Sequence, residues 1–295
     1  MQRREFIQQT GIMGTVFLLS PAEVYKIKAR HVGIQMWSVR GFADKDPIGT
    51  ISKLAAMGYR EIEGHKYADG KFYTWTPKEF RTQLKNAGLK MPSAHTAVNL
   101  QSWDAQKQDL SDGMKRCIDA HAELGVKQLL CPHIDKEYRN EEDINKLTGI
   151  LNHVGALCKK AGMQFGYHNH DFEFSKTNGK YMMDTIMVQT DPDLVIWEMD
   201  LYWVKFAHED PIQWIKKYPG RINAFHVKDM ANTAGHETIE VGDGTIDFAN
   251  IFSHSKEAGV KYFIVELEHY RTNSMDGVEK SLRNLKGILE TSNKQ

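Results

Sequence analysis

The stretch Ala161-Gly162-Met163-Gln164-Phe165-Gly166-Tyr167-His168-Asn169-His170 decides the fold of this 295-residue chain. It reads in three parts. Ala161 closes a segment, Ile144 to Lys160, whose apolar residues recur every three or four positions, the spacing of one buried helix face. Gly162 then supplies the left-handed conformation that stops a helix without strain. Met163 to His168 is a short apolar run of the kind that forms a buried strand, and polar side chains crowd its carboxyl end.

The same punctuation recurs outward in both directions. Met57-Gly58 precedes Tyr59 to Glu63, Ala87-Gly88 precedes Leu89 to His95, and Leu124-Gly125 precedes Val126 to Cys131. Further on, Pro219-Gly220 precedes Arg221 to Val227 and Ala258-Gly259 precedes Val260 to Leu267. Two more strands lack the glycine: Val32 to Trp37, and Leu194 to Met199 after the helix-breaking Pro192. Strand starts fall about 27 to 39 residues apart, enough for a strand, a helix and two loops but too long for hairpins. Helices are expected at Lys53–Met57, Glu79–Asn86, Asp112–Glu123 and Ile144–Lys160. Eight such units predict an α/β chain with a parallel sheet, and eight is the number that closes into a (β/α)8 TIM barrel. A doubly wound open sheet is the alternative. No G-x-G-x-x-G follows the first strand to support it.

Composition agrees with one large enzyme-sized domain. The chain is 41% hydrophobic, and its 38 Lys plus Arg balance 38 Asp plus Glu. A neutral chain lacks the basic footprint of a general nucleic-acid binder. No apolar run reaches the roughly 20 residues of a membrane span. Cys117, Cys131 and Cys158 form no C-x-x-C pair, so a thiolate zinc site is not expected. Residues 1–30 stand apart. Arg3-Arg4, Phe6, the weakly apolar Gly11 to Leu19 and then Ser20-Pro21-Ala22 resemble a twin-arginine export segment. The expectation is a periplasmic protein, or a cytoplasmic one if the segment does not act. Residues 31–295 read as a single barrel domain.

The active site of such a barrel lies at the carboxyl ends of its strands. Those ends carry Trp37, Ser38 and Arg40; Glu63 and His65; Ser93 and His95; His133; Tyr167, His168, Asn169 and His170; Glu198, Asp200 and Trp203; His226 and Lys228; Glu266 and Glu268. Each alone is unremarkable in a fold, but their convergence on one rim is informative. Alternation along a strand puts His168 with His170, Glu198 with Asp200, and His226 with Lys228 on shared faces. His, Asp and Glu meeting in one pocket are the ligand types of a divalent cation. His168, Asp200, His226 and Glu266 are the expected ligands, with His170 and Glu173 as reserves on strand five. Mn2+ is the first expectation, with Zn2+, Mg2+ and Co2+ also suited. Trp37, Trp75, Trp103 and Trp203 suit stacking on a sugar ring. Trp197 and Trp214 are expected in the packing.

At this point the chain resembles the xylose isomerase-like barrel superfamily, the sugar phosphate isomerase/epimerase group. The carriers are Gly33 to Arg40, Ser93-Ala94-His95, Tyr167 to Phe174, Phe225 to Asp229, Gly242 to Asp247 and Ile264-Val265-Glu266. The resemblance implies one divalent ion held by strands five to eight, the last three ligands mapping onto Asp200, His226 and Glu266. Strand five departs from the family's glutamate, offering His168-Asn169-His170 instead. The DNA-repair endonucleases of the superfamily need a histidine where this chain has Trp203, which cannot bind metal.

The chemistry implied is removal of a proton α to a carbonyl. It leads to a sugar isomerase or epimerase, or to a lyase that cleaves 3-keto-glycosides by β-elimination. A sugar-binding barrel without catalysis is the competing class. His170, Glu266, Lys228 and His95 are the expected catalytic residues. Trp37, Arg40, Glu63, Tyr167, Asn169 and Trp203 are the expected substrate contacts. The partner is a small sugar or glycoside, not nucleic acid, and a homo-oligomer stays open.

Overall fold

The computed structural model describes residues 32–292. The export-type segment lies outside the described residues. Eight strands close into a parallel barrel: β1 (Val32–Gln35), β2 (Glu61–Gly64), β3 (Lys90–His95), β4 (Gln128–Cys131), β5 (Gln164–His168), β6 (Val195–Asp200), β7 (Ile222–Val227) and β8 (Tyr262–Val265). Each pairs with its chain neighbours, and β1 pairs with β8 through Val32 opposite Phe263 to close the ring. The open-sheet alternative is thereby excluded.

Helices fill the connections. Those on the first half of the barrel are α1 (Pro47–Met57), α2 (Pro77–Asn86), α3 (Asp112–Leu124) and α4 (Glu141–Lys160). Their starts are written locally. Thr76 and Glu79 form a reciprocal capping box on α2, and Asn140 caps α4, whose first turn carries three acids and whose last turn carries Lys159 and Lys160. Their ends use the expected glycines; Gly58 sits at φ 106° where α1 stops. On the second half, α5 (Met182–Gln189) and α6 (Pro211–Lys217) are shorter, and α7 (Ser274–Ser292) closes the ring from outside, where Val278 O accepts from Tyr59 Oη at 2.8 Å.

Four two-residue hairpins sit in the connections, among them Tyr67–Ala68 with Lys71–Phe72 and Asp229–Met230 with Thr238–Ile239. The segment Asp229 to Thr245 reads as a polar loop in sequence, but it is pinned. Buried Asp229 accepts from the amides of Met230, Gly242, Gly244 and Ile246 at 2.8 to 3.2 Å.

The main core lies between strands and helices, with Trp197, Phe165, Phe225 and Phe263 fully buried. The barrel interior is narrow and unusually polar in its upper layer. Gly166 marks a close approach: a Cβ there would lie 2.7 Å from Leu130 Cδ2 and 2.8 Å from the Ile196 carbonyl. Above it on the same face comes His168, where the interior opens. Among the described residues no helix is long and apolar enough to cross a membrane.

Candidate active site

Period-two alternation aims Gln35, Glu63, His95, His168, Glu198, His226 and Glu266 into the barrel, so seven strands supply polar side chains to its carboxyl end. A bulge between Trp197 and Glu198 shifts the β6–β7 register and sets Asp200 opposite His226. Asp200 and Lys228 stand one step higher on these two strands.

Two nests result. In the upper one, Asp200 Oδ2 lies 3.9 Å from His168 Nε2 and 3.9 Å from His226 Nδ1, and His226 Nδ1 lies 3.4 Å from Glu266 Oε2. Asp200 Oδ2 and His226 Nδ1 are buried and have no hydrogen-bond partner. Donors bound to one divalent ion at about 2.1 Å stand about 3 to 3.4 Å apart. The nest is slightly wider than that and lined with orphaned donors, so these residues fit a divalent cation. The set Asp200, His226 and Glu266 offers one donor each, all within 4.8 Å of one another. Lys228 leans into it, its Nζ 2.7 Å from Glu266 Oε2, 2.9 Å from Glu268 Oε1 and 3.5 Å from Asp200 Oδ2.

The lower nest is hydrogen-bonded except at Glu198 Oε1, which is buried without a partner. Glu63 Oε1 lies 2.7 Å from His226 Nε2, 2.7 Å from Gln35 Nε2 and 3.0 Å from His95 Nε2, and Glu63 Oε2 accepts from Ser93 Oγ. Glu198 Oε2 meets His95 Nε2 at 2.8 Å and His168 Nδ1 at 3.1 Å.

Burial and neighbours sort the charges. Burial pushes Asp200 up to about 6, and burial with Glu63 pushes Glu198 up to about 7. Burial works against a charged His95, yet Glu63 and Glu198 override it and raise the ring to about 9. Burial, then Lys228, pulls His170 down to about 3. Burial opposes the Lys228 charge, but Glu266 and Asp200 win and hold it above the ordinary lysine range. Lys228 is therefore a fixed cation, not a base. The opposed shifts of His170 and His95 mark a neutral and a charged imidazole in one site.

Above the nests opens a cavity of about 770 Å³, within the range of small-ligand sites. Trp37, His65, His95, His133, His170 and Trp203 are among its lining residues. The Trp203 ring lies 5.3 Å from that of His170, and Trp37 is 43% exposed at the mouth. His168 and Glu266 reach the cavity floor.

Several expected contacts are corrected by burial. Tyr167 points away from the barrel axis, fully buried, and donates to Glu173 at 2.5 Å. Asn169 is fully buried and binds Trp197 Nε1 at 2.8 Å and the Asp200 amide at 3.0 Å. Glu63 is fully buried beneath the histidines. None of the three faces a substrate. Arg40 is not a cavity-lining residue; its guanidinium lies 4.3 Å from the Trp37 ring centroid and donates to the Trp37 carbonyl. Glu173 accepts from the His170 amide at 2.8 Å, which removes it from the ligand set. Trp75 stacks on Phe80, and Trp103 packs against His153 outside the main cavity. Trp197 and Trp214 are buried as expected. The residue missing from the expected set is Glu198. Its spacing from Asp200 on one strand face was the available sign.

With this geometry in place, comparison with known proteins assigns the family. Residues 51–288 match the family described as the xylose isomerase-like TIM barrel. The chain belongs to the xylose isomerase-like TIM barrel family.

Similar members of this xylose isomerase-like family carry enzyme names. The chain is 31% identical over 248 residues to an inosose dehydratase of Clostridium perfringens, covering 74% of this chain and 81% of that protein. It is 33% identical over 232 residues to an inosose dehydratase of Clostridium botulinum, covering 68% and 75%. A crystal structure of a sugar phosphate isomerase/epimerase from Parabacteroides distasonis superposes with a TM-score of 0.77 at 31% identity, covering 88% of this chain and 96% of that one. This chain, like those relatives, is an enzyme.

Proposed function

We propose that the chain is a divalent-metal-dependent enzyme that removes the proton α to the carbonyl of a hydroxy-ketone or hydroxy-aldehyde sugar. The observation that carries this reading is the pair of orphaned donors, Asp200 Oδ2 and His226 Nδ1, 3.9 Å apart below an aromatic-walled cavity. His168, Asp200, His226 and Glu266 are the proposed ligands. Two imidazoles with two carboxylates are a borderline donor set, which favours Mn2+. Such an ion, when bound, supplies Lewis-acid polarisation of the carbonyl and charge stabilisation for an enediolate.

The side chains supply the rest. Lys228, held cationic by Glu266 and Asp200, is buried and positions these two carboxylates at the cavity floor. His170 is neutral, its buried Nδ1 has no partner, and its ring lines the cavity; it is the proposed base. His95 carries a proton between Glu63 and Glu198 and is the proposed donor. Trp37 and Trp203 give apolar faces to a pyranose and keep water from the reacting carbon.

Return of the proton makes the enzyme an isomerase or epimerase. A second reading, β-elimination from a 3-keto-glycoside, is favoured by the two histidines, His170 and His95, that line one cavity. One takes the α-proton and the other protonates the leaving oxygen. The dehydratase names of the relatives support it as well. The test is incubation of Mn2+-loaded protein in D2O with a panel of keto-sugars and 3-keto-glycosides. Deuterium at the α-carbon with the aglycone retained supports the isomerase or epimerase, and released aglycone supports the lyase. Neither outcome on any member would sink the proposal. The Arg3-Arg4 segment supports a periplasmic location in the same proposal, tested by fractionating cells that carry Arg3→Lys with Arg4→Lys.

A further inference from the structure

Each histidine at the upper nest has its other nitrogen on a buried carboxylate. His168 turns Nδ1 to Glu198 Oε2 at 3.1 Å and Nε2 to Asp200 Oδ2 at 3.9 Å. His226 turns Nε2 to Glu63 Oε1 at 2.7 Å and Nδ1 outward, 3.4 Å from Glu266 Oε2 and 3.9 Å from Asp200 Oδ2. Only the nitrogens on Glu198 and Glu63 are hydrogen-bonded, so these carry the hydrogen, and the outer nitrogens, 3.4 Å or more from the nearest carboxylate oxygen, are left with their lone pairs. The two rings therefore present lone pairs to the same oxygen, Asp200 Oδ2, through different nitrogens, Nε2 of His168 and Nδ1 of His226.

We propose that Glu198 and Glu63 are positioning residues that fix these tautomers and so make His168 and His226 ligands of one ion; this rests on the metal-site reading above. The arrangement accounts for a histidine on strand five where the family resemblance expects a glutamate. A carboxylate ligand has no tautomer to fix, whereas an imidazole does. The partner for His168 comes from β6, two residues before Asp200 on the same face. Glu63 is itself held, with Gln35 Nε2 on Oε1 at 2.7 Å and Ser93 Oγ on Oε2. Ser93 Oγ in turn accepts from Gln128 Nε2 at 3.1 Å, and Gln128 Oε1 accepts from Asn223 Nδ2 at 2.8 Å. The His226 side of the nest is thus braced through the barrel interior to β4 and β7, and the His168 side by Glu198 and His95. Outer carboxylates of this kind commonly set ligand orientation and basicity at metal centres.

The test is the full chain labelled with 15N-histidine and titrated with Zn2+, followed by calorimetry and by imidazole NMR. Expected are one zinc per chain, slowly exchanging protons on His168 Nδ1 and His226 Nε2, and metal-shifted His168 Nε2 and His226 Nδ1. Glu198→Ala should weaken zinc binding about 10- to 100-fold and lose the protected His168 proton. Glu198→Gln, which keeps an accepting oxygen, should restore affinity to within about fivefold of wild type. Binding through the opposite nitrogen of either ring overturns the proposal in the wild-type protein alone, without need of a variant that folds. So does a second zinc seated on the inner nitrogens, or an affinity in Glu198→Ala within about twofold of wild type. A wild-type protein that takes up no zinc fails at the metal-site reading itself, before the tautomers are reached.

Discussion

Lys228 Nζ stands 2.7 Å from Glu266 Oε2, so a lysine buried in the site occupies the same carboxylate that is proposed to hold the ion. The two cations share a ligand and repel one another. In Lys228→Met the chain length is kept, but Glu266 is left buried without its partner, a loss of about 3 to 5 kcal/mol for the ion-free fold. Mn2+ should then bind more tightly than in wild type, and the rise in Tm on adding Mn2+ should be larger. Turnover should nevertheless fall, because Glu266 and Asp200 lose the ammonium that positions them. Differential scanning calorimetry with and without Mn2+ checks the first expectation; an equal or smaller Tm rise would refute it.

His170 and His95 should separate under mutation. His170→Gln removes a wall residue with a free nitrogen and should lower kcat about 10²- to 10⁴-fold while leaving Mn2+ affinity within about twofold. His95→Gln breaks contacts with both Glu63 and Glu198 and should cost both kcat and ion affinity. Paired calorimetry and turnover assays read this difference. Loss of the ion in His170→Gln would move that residue into the ligand set.

His121 is a pH probe remote from the chemistry. It is buried between Tyr67 and Phe72, and its Nδ1 donates to the Cys117 carbonyl at 2.7 Å. Burial pulls it from 6.5 down to about 4, so the folded state keeps the ring neutral where the unfolded chain would protonate it. Above pH 6.5 both states are neutral and there is no penalty. As pH falls from 6.5 to 4 the unfolded state binds the extra proton, and stability declines by about 3 kcal/mol. His121→Leu should flatten that part of the stability curve. Urea unfolding at pH 7, 5.5 and 4 measures it, and an unchanged slope would contradict the assignment.

Gly166→Ala tests the narrow interior beneath the nests. The added methyl would meet Leu130, Ile196 and the Ile196 carbonyl below 3 Å, with backbone on one side that has no room to move. Overpacking of this kind costs about 1 to 3 kcal/mol. Because β5 carries His168 two residues on, Mn2+ affinity should fall together with Tm. A variant with wild-type Tm would show that the interior yields more easily than its packing indicates.

The barrel was legible because its punctuation is local. A glycine after each helix and an apolar run after each glycine are read without knowing any distant contact. Asp200, His226 and Glu266 could be singled out too, since each lies at or next to the carboxyl end of a strand. Tyr167 and Asn169 were misread by proximity to His168. Alternation turns Tyr167 to the helix layer, and Asn169, past the strand end, bends back to Trp197 and Asp200. The role of Glu198 depends on its place opposite His168 on β5, a cross-strand register that strand patterning does not encode. The hairpins after β2 and β7 have arms of two residues, too short for any periodicity to announce.

The most direct measurement of the central claim is calorimetric Mn2+ titration of the chelator-stripped full chain beside Asp200→Asn, His226→Ala and Glu266→Gln. One ion per wild-type chain, with affinity reduced at least about 100-fold in each variant, is the predicted result. Wild-type protein that binds no ion, or three variants that bind it as wild type does, would contradict the account.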